Sequence, residues 1–519
     1  MSSNHPSPHR RRQKPQAGRR DPRRQRRLTG KGVLLRRIAL GCGLVVVLGC
    51  VGGWGYVSYL DSNIRHGALS FGDQGEEQPD AAGDMPLNIL LIGSDTRDTA
   101  ADLSLGGSRS SVNGPAHADV EMLLHVSADR SNASLISIPR DTMVDIPACT
   151  DPATGRHYPE APHEQITDSL AHGGPGCTVY TWHELTGIHI DHYMMVDFSG
   201  VVSMADAVGG VPVCTTANVA DPYSHLRLTK GDHVIKGVQA LEWLRSRHGF
   251  GDGSDLYRTQ VQHMYLTSLM RQLRSAGTLT DPARMLTLAD AATRALTVDD
   301  GLDSVSKLLS LASQLKGIQP DRLTTATMPY AADPSNPTAW VIPKPGDAEE
   351  LFAMVRGDVP LDAHGRIPAQ AAPSTSADPQ PPVPALAPGG VRITVENGSG
   401  VPGRAAQLTG VLRGLGFTLA RNGLNAPMPQ HYTTVRYDPA DPQGRAEAVA
   451  VADALHLPPS ALRPSPFHRR PVLVIGSDWP AGETFPVIAP PSAGAVPTSA
   501  PQQSGNQAKC ARVNPVYSW

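Results

Sequence analysis

The sequence predicts a layered α/β/α domain with a mixed central sheet, followed by a small α/β domain and preceded by a transmembrane helix. Three observations predict it. Short apolar runs at Leu87–Ile92, Glu121–Val126 and Ser134–Ile138 read as buried strands. Stretches with helical spacing alternate with and follow them, the pattern of a layered fold. Residues 38–60 carry no charge and are rich in Val, Leu and Gly.

From the N-terminus, residues 1–37 hold 13 Lys/Arg against Asp21 alone, a net of +12. The other residues hold 33 Lys/Arg against 47 Asp/Glu, a net of −14, so nucleic acid is not expected as a partner. A helix over 38–60 would be ~35 Å long, enough to cross a bilayer. Trp54, Tyr56 and Tyr59 suit an aromatic belt near its far end. The basic flank then puts residues 1–37, a disordered tail, in the cytoplasm and residues 61–519 outside a cell membrane crossed once. A cleaved signal peptide fits worse, because no small-x-small site follows the apolar stretch.

Residues 61–85 read as an acidic tether. A large domain over 86–357 then carries helices at Thr178–Leu185, Phe198–Val208, Gly237–Leu244, Asp255–Leu273, Pro282–Leu296 and Leu302–Leu315. It closes with a strand at Leu323–Met328 and a helix at Ala348–Val355. Residues 358–390 are a Pro/Ala-rich linker. A second domain over 391–479 shows strands at Val391–Val395, Thr433–Tyr437 and Val472–Ile475 and helices at Gly403–Leu415 and Gly444–Leu455. Residues 480–519 return to Pro, Ala, Ser and Gln and read as a disordered tail bearing one cysteine. With 50 Gly and 47 Pro among 519 residues and no repeat, the chain is neither collagen-like nor a coiled coil.

Four stretches carry the chemistry. Leu87–Ile92 ends in Gly93 and presents Asp95 and Arg97, where ligands of α/β sheets bind. Asp119 precedes the second apolar run, and Arg140-Asp141 follows the third. Arg245 and Arg247 are two apart, so an extended backbone would point both to one side. Asp255, Arg258 and Gln262, at i, i+3 and i+7, share one polar helix face after a Gly-rich loop. Each alone is more simply a turn ion pair. Together, arginine forks match phosphate oxygens, and carboxylates tolerate phosphate when Mg²⁺ bridges them. The inferred ligand is a pyrophosphorylated molecule. Outside the membrane there is no ATP pool, and lipid-linked cell-wall precursors supply pyrophosphate.

These stretches, with Gly-Gly-Pro at 173–175, Asp-Phe-Ser-Gly at 197–200 and Gly-Gly-Val at 209–211, resemble the LytR-CpsA-Psr family of membrane-anchored glycopolymer transferases. Residues 391–479, with Glu-Asn-Gly-Ser-Gly-Val at 396–401 and Val-Ile-Gly-Ser-Asp at 474–478, resemble the C-terminal domain often attached to actinobacterial members. The resemblance implies transfer of a glycan from a polyprenyl-pyrophosphate carrier to a peptidoglycan hydroxyl through a phosphodiester, with pyrophosphatase side activity. It implies that Arg140, Arg245, Arg247 and Arg258 are catalytic. Arg97, Asp255 and Gln262 would bind substrate, and Asp95 and Asp119 would hold Mg²⁺ or Mn²⁺. The chain departs from the common pattern at Val120, where many members have Thr, and at Gln165, where many have Lys. A non-catalytic wall scaffold and a transcriptional attenuator are the alternative functions.

Four cysteines lie outside the anchor and allow three pairings, which their spacing leaves open. The expectation is a Cys149–Cys177 disulfide within the large domain and a Cys214–Cys510 pair beside it. The C-terminal domain is expected not to be catalytic, and a chain ending at Arg356 to retain transfer.

Overall fold

The computed structural model describes residues 48, 50–69, 84–95, 116–152, 154–273, 281–363, 386–426, 430, 432–438, 440–457, 461–465, 469–486, 492–504 and 510–519. The chain divides into two compact units, residues 1–59 and 60–519. In the first, residues 50–59 are helical. The expected basic tail and most of the expected membrane span lie outside the described residues. Among those described, no helix is long and apolar enough to cross a membrane.

The second unit is built on a mixed sheet. Its strands are β1 (Arg65–Gly67), β2 (Leu87–Ser94), β3 (Ala118–Val126), β4 (Ala133–Ile138), β5 (His192–Val196), β6 (Leu296–Asp299), β7 (Leu323–Thr327) and β8 (Gln502–Ser504). Their spatial order is β1-β6-β5-β2-β3-β4-β7-β8. β2 pairs parallel to β5 and antiparallel to β3, and β4 pairs antiparallel to β3 and parallel to β7. The runs are mainly apolar, with no in/out alternation, because both sheet faces are covered. Leu90, Ile92, Leu123 and Ile136 meet Trp182 of α1 (Pro175–Thr186) and Phe352 of α7 (Asp347–Arg356). Ile89, Met122, Leu124 and Leu135 face the other way, onto Leu311 of α6 (Val305–Leu315). Each such side chain contributes about 1.5–3 kcal/mol by leaving water.

Between β5 and β6 lie α2 (Phe198–Ala207), α3 (Val238–Arg245), α4 (Asp255–Leu273) and α5 (Pro282–Ala295). The Asp197 carboxylate caps α2 by accepting from Gly200 N at 2.8 Å. A hairpin of Val211–Thr215 and Gly231–Ile235 packs with α3 and α4 around Trp243 and Phe250 in a further core.

The small domain holds a five-stranded sheet in the order Arg421–Asn425, Thr394–Asn397, Val472–Ile475, Thr434–Tyr437, Leu462–Pro464. Helices α8 (Arg404–Gly414) and α9 (Pro442–Leu455) cover it, with Leu408, Leu412, Val451 and Leu455 in its core. Arg404 is fully buried there. Its Nε donates to the Trp479 carbonyl at 3.0 Å, so it closes a core and faces no cleft.

Three expected boundaries are corrected. The tether over 61–85 contributes β1, paired parallel to β6, and buries Ile64. The linker does not begin at 358. Val359 and Leu361 are core residues, and Asp358 accepts from His125 Nε2 at 3.0 Å and from Ala128 N at 2.9 Å. Residues 480–519 are not a disordered tail throughout. β8 pairs antiparallel with β7, Val496 and Ala500 enter the main core, and Ala511 and Val513 enter the core around Trp243. Composition hid these anchors because a few alternating apolar residues suffice to dock a short segment. A chain ending at Arg356 would therefore lack β8 and part of two cores.

The structure joins Cys149 to Cys177, with a sequence separation of 28, and Cys214 to Cys510, with a separation of 296. In the chain-entropy account the shorter loop stabilises by about 3.5 kcal/mol. Cys149→Ser with Cys177→Ser should lower the unfolding free energy in urea by about that amount. An unchanged denaturation midpoint would remove the stabilising role.

Candidate functional site

β2, β4 and β5 run in one direction and β3 in the other, so three strand ends and one strand start meet at one edge of the sheet. Asp95 follows β2, Asp197 follows β5, Arg140 follows β4, and Asp119 lies at the start of β3. They line a cleft of about 590 Å³ with Arg245, Arg247, Arg258 and Gln262.

Asp119 occupies a β-bulge. Gly93 pairs with Val120 and Ser94 with Ala118, so Asp119 is the extra residue. Bulges re-aim side chains beside functional sites. Its Oδ1 accepts from Arg140 Nη1 at 2.6 Å and lies 3.8 Å from Arg247 Nη2. Arg258, only 6% exposed, donates from Nη2 to the Asp119 carbonyl at 2.9 Å. Burial works to raise the Asp119 pKa, but Arg258, Arg140 and Arg247 outweigh it and hold the carboxyl below its ordinary range.

Arg245 corrects one expectation. It is the last residue of α3, not part of an extended strand, and the backbone turns extended only at Ser246. Its guanidinium lies 4.9 Å from the centroid of the Phe198 ring. The loop after it needs glycine: a Cβ on Gly249 would lie 2.6 Å from Ser246 Oγ, and Gly251, at φ +62°, would put one 2.1 Å from the Tyr257 ring. Gln262 Nε2 donates to the Leu244 carbonyl at 3.3 Å and so ties α4 to the end of the helix bearing Arg245. Asp255 opens α4, but its side chain lies outside the described residues, as does Arg97.

The cleft also contains residues that spacing did not single out. His117 lies 3.7 Å from Asp95 and 3.5 Å from Asp168, while its backbone N donates to Asp95 Oδ1 at 2.8 Å. Gln165 donates to Asp141 Oδ1 at 2.7 Å. Tyr223 and His248 stand at the same cleft. The only signal for His117 was its place immediately before Ala118-Asp119, and Tyr223 carried none.

Glu121, two residues along β3 from Asp119, is buried and takes a hydrogen bond from Trp182 Nε1. Burial pushes its pKa up to about 8, against the Trp182 hydrogen bond. The fold thus favours the protonated form, which the unfolded chain loses above about pH 4.5. The stability from that proton is complete below this pH and is lost as pH rises through about 8. Glu121→Gln should flatten the decline in Tm between pH 5 and 8, roughly the interval between the two pKa values. Parallel Tm–pH curves for both proteins would exclude this account.

The LytR_cpsA_psr family matches residues 59–353, and the LytR cell envelope-related transcriptional attenuator pattern matches residues 390–479. The cell wall biosynthesis protein LcpA of Corynebacterium glutamicum is 30% identical over 426 residues, covering 78% of this chain and 79% of that protein. The probable cell wall biosynthesis protein LcpB of the same species is 31% identical over 279 residues, 52% of this chain and 61% of its own. The polyisoprenyl-teichoic acid–peptidoglycan teichoic acid transferase TagT of Bacillus subtilis is 26% identical over 290 residues, 54% of this chain and 82% of its own.

Proposed function

Because the chain belongs to the LytR-CpsA-Psr family, we propose that it is a cell-wall glycopolymer transferase that moves a glycan from a polyprenyl-pyrophosphate carrier to a peptidoglycan hydroxyl. The observation that carries this reading is the convergence of Arg140, Arg247 and Arg258 on Asp119 in a cleft that Arg245 also lines. Arginine forks hold pyrophosphate oxygens and stabilise charge that builds on them. The acceptor hydroxyl gives up its proton and forms a bond to the sugar-proximal phosphorus. The bond from that phosphorus to the bridging oxygen breaks, and polyprenyl phosphate leaves with the electron pair. Water in place of the hydroxyl gives pyrophosphatase side activity.

Mg²⁺, or Mn²⁺, is the ion we propose for this site, with Asp95 and Asp119 to hold it. Asp95 and Asp119 offer hard oxygens in one cleft, and such ions take one or two carboxylates with substrate phosphates. Among the described residues no group of three His, Cys, Asp or Glu side chains is arranged to hold a metal ion by itself, and substrate phosphates and water would supply the other ligands. When bound, the ion would offset pyrophosphate charge. The basic segment before residues 38–60 supports an anchored protein with its N-terminus cytoplasmic and the cleft outside the membrane.

The test is a transfer assay with the full chain in detergent, defined lipid-linked glycans and peptidoglycan oligomers. Glycan-bearing peptidoglycan is the expected product. Donor binding without product would leave a scaffold. Protease applied to spheroplasts should digest residues 61–519 and spare a tag at residue 1. A protected C-terminal domain would overturn the orientation.

A further inference from the structure

We propose that Tyr223, His248 and Tyr517 form a saccharide-stacking platform at the cleft mouth, which receives the sugar bonded directly to the donor pyrophosphate. The proposal rests on the transferase reading. Three separate chain segments bring these rings together. The Tyr223 and His248 centroids are 4.4 Å apart, His248 and Tyr517 are 5.7 Å apart, and Tyr223 and Tyr517 are 6.5 Å apart. Tyr223 and His248 line the arginine cleft, and Tyr223 is 68% exposed. A tyrosine offers a rigid apolar face with a polar edge and loses little freedom when covered. That matches a pyranose, which has flat C–H faces and a rim of hydroxyls.

The platform is held in place. Asp221 is buried, and its Oδ1 accepts from Tyr223 N at 3.0 Å. Its Oδ2 accepts from Ser246 Oγ at 2.7 Å and Gly249 N at 3.2 Å. One carboxylate therefore sets the Tyr223 loop against the segment bearing Arg245, Arg247 and His248. Tyr517 arrives on a strap. Cys510 is bonded to Cys214, Ala511 bridges Thr215, and Val513 bridges Phe250. Asn514 N then donates to the Gly249 carbonyl at 3.0 Å.

The donor sugar is favoured over an acceptor sugar by connectivity. Tyr223 and His248 line the same cleft as Arg245, Arg247 and Arg258. The donor sugar is bonded to one of the two phosphates that the arginines would hold, so it enters the cleft together with them, whereas an acceptor is tied to nothing there before it reacts.

The experiment measures binding of two probes to the full chain in detergent: a polyprenyl pyrophosphate carrying one N-acetylhexosamine, and the same lipid without sugar. Tyr223→Leu and Tyr517→Leu should each weaken the sugar-bearing lipid roughly 3- to 10-fold and leave the bare lipid unchanged. Tyr517→Phe should bind as wild type. Equal loss on both lipids would overturn the proposal, since the rings would then only position the arginines. No loss on either would overturn it as well. A rise in KM for peptidoglycan with donor binding intact would move the platform to the acceptor and refute the assignment. Wild-type protein that binds neither lipid would bring down the transferase reading and this proposal together.

Discussion

Arg258→Ala should lower turnover about 10²- to 10³-fold while weakening donor binding far less. On the proposed reading the ground-state pyrophosphate would be shared among several arginines, so one loss would be partly compensated. In the proposed transition state charge would accumulate on the departing polyprenyl phosphate, and a fixed guanidinium would act differentially there. Arg258 is nearly buried and already held by the Asp119 carbonyl, so its orientation costs little at the moment of reaction. Lysine should rescue poorly, being a point charge in place of a fork. Single-turnover rates beside donor-binding measurements decide the matter. Near wild-type transfer by Arg258→Ala would reduce this arginine to a brace for β3.

Asp119→Asn should also cost turnover on the order of 10²-fold, but with the opposite sign on binding. The carboxylate receives Arg140 and stands near Arg247, so neutralising it leaves excess positive charge in the cleft. Bare polyprenyl pyrophosphate should then bind as tightly as before or more tightly in the absence of divalent metal. The Mg²⁺ concentration needed for half-maximal activity should rise. A variant that loses binding and turnover in parallel would mean that Asp119 only shapes the site. The two variants together separate residues that grip the leaving group from those that organise the grip.

The legible parts of the fold were those where one physical effect dominated. β2, β3 and β4 are buried on both faces, and their mainly apolar runs read directly as strands. β5, His-Tyr-Met-Met-Val, was missed because its place is fixed by pairing with β2 and β6 and not by its own pattern. β6 was absorbed into the preceding helix because Leu296 continues the helical spacing, yet the helix stops at Ala295 and the chain turns extended. The arginines of the cleft stood out because an acidic body seldom concentrates them. Tyr223 meets the cleft, and Tyr517 meets the rings of Tyr223 and His248, only through tertiary packing, and local spacing carries no trace of that. Arg245 was read as extended because Arg-x-Arg suits a strand as well as it suits a helix end.

The link between Cys214 and Cys510 also sets a timetable. Cys177 is made 28 residues after its partner Cys149, but Cys510 is made 296 residues after Cys214. At 5–20 residues per second, that delay is roughly 15–60 s of synthesis. Throughout it Cys214 is a thiol without its mate, while the much nearer Cys177 is already available to capture it. Oxidation of Cys149 with Cys177 before Cys510 emerges would remove that competitor and protect the correct pairing. The whole small domain emerges during the wait, and only then can the strap reach back to the loop behind the arginines. An oxidising compartment with a thiol–disulfide isomerase would serve this chain better than rapid, indiscriminate oxidation.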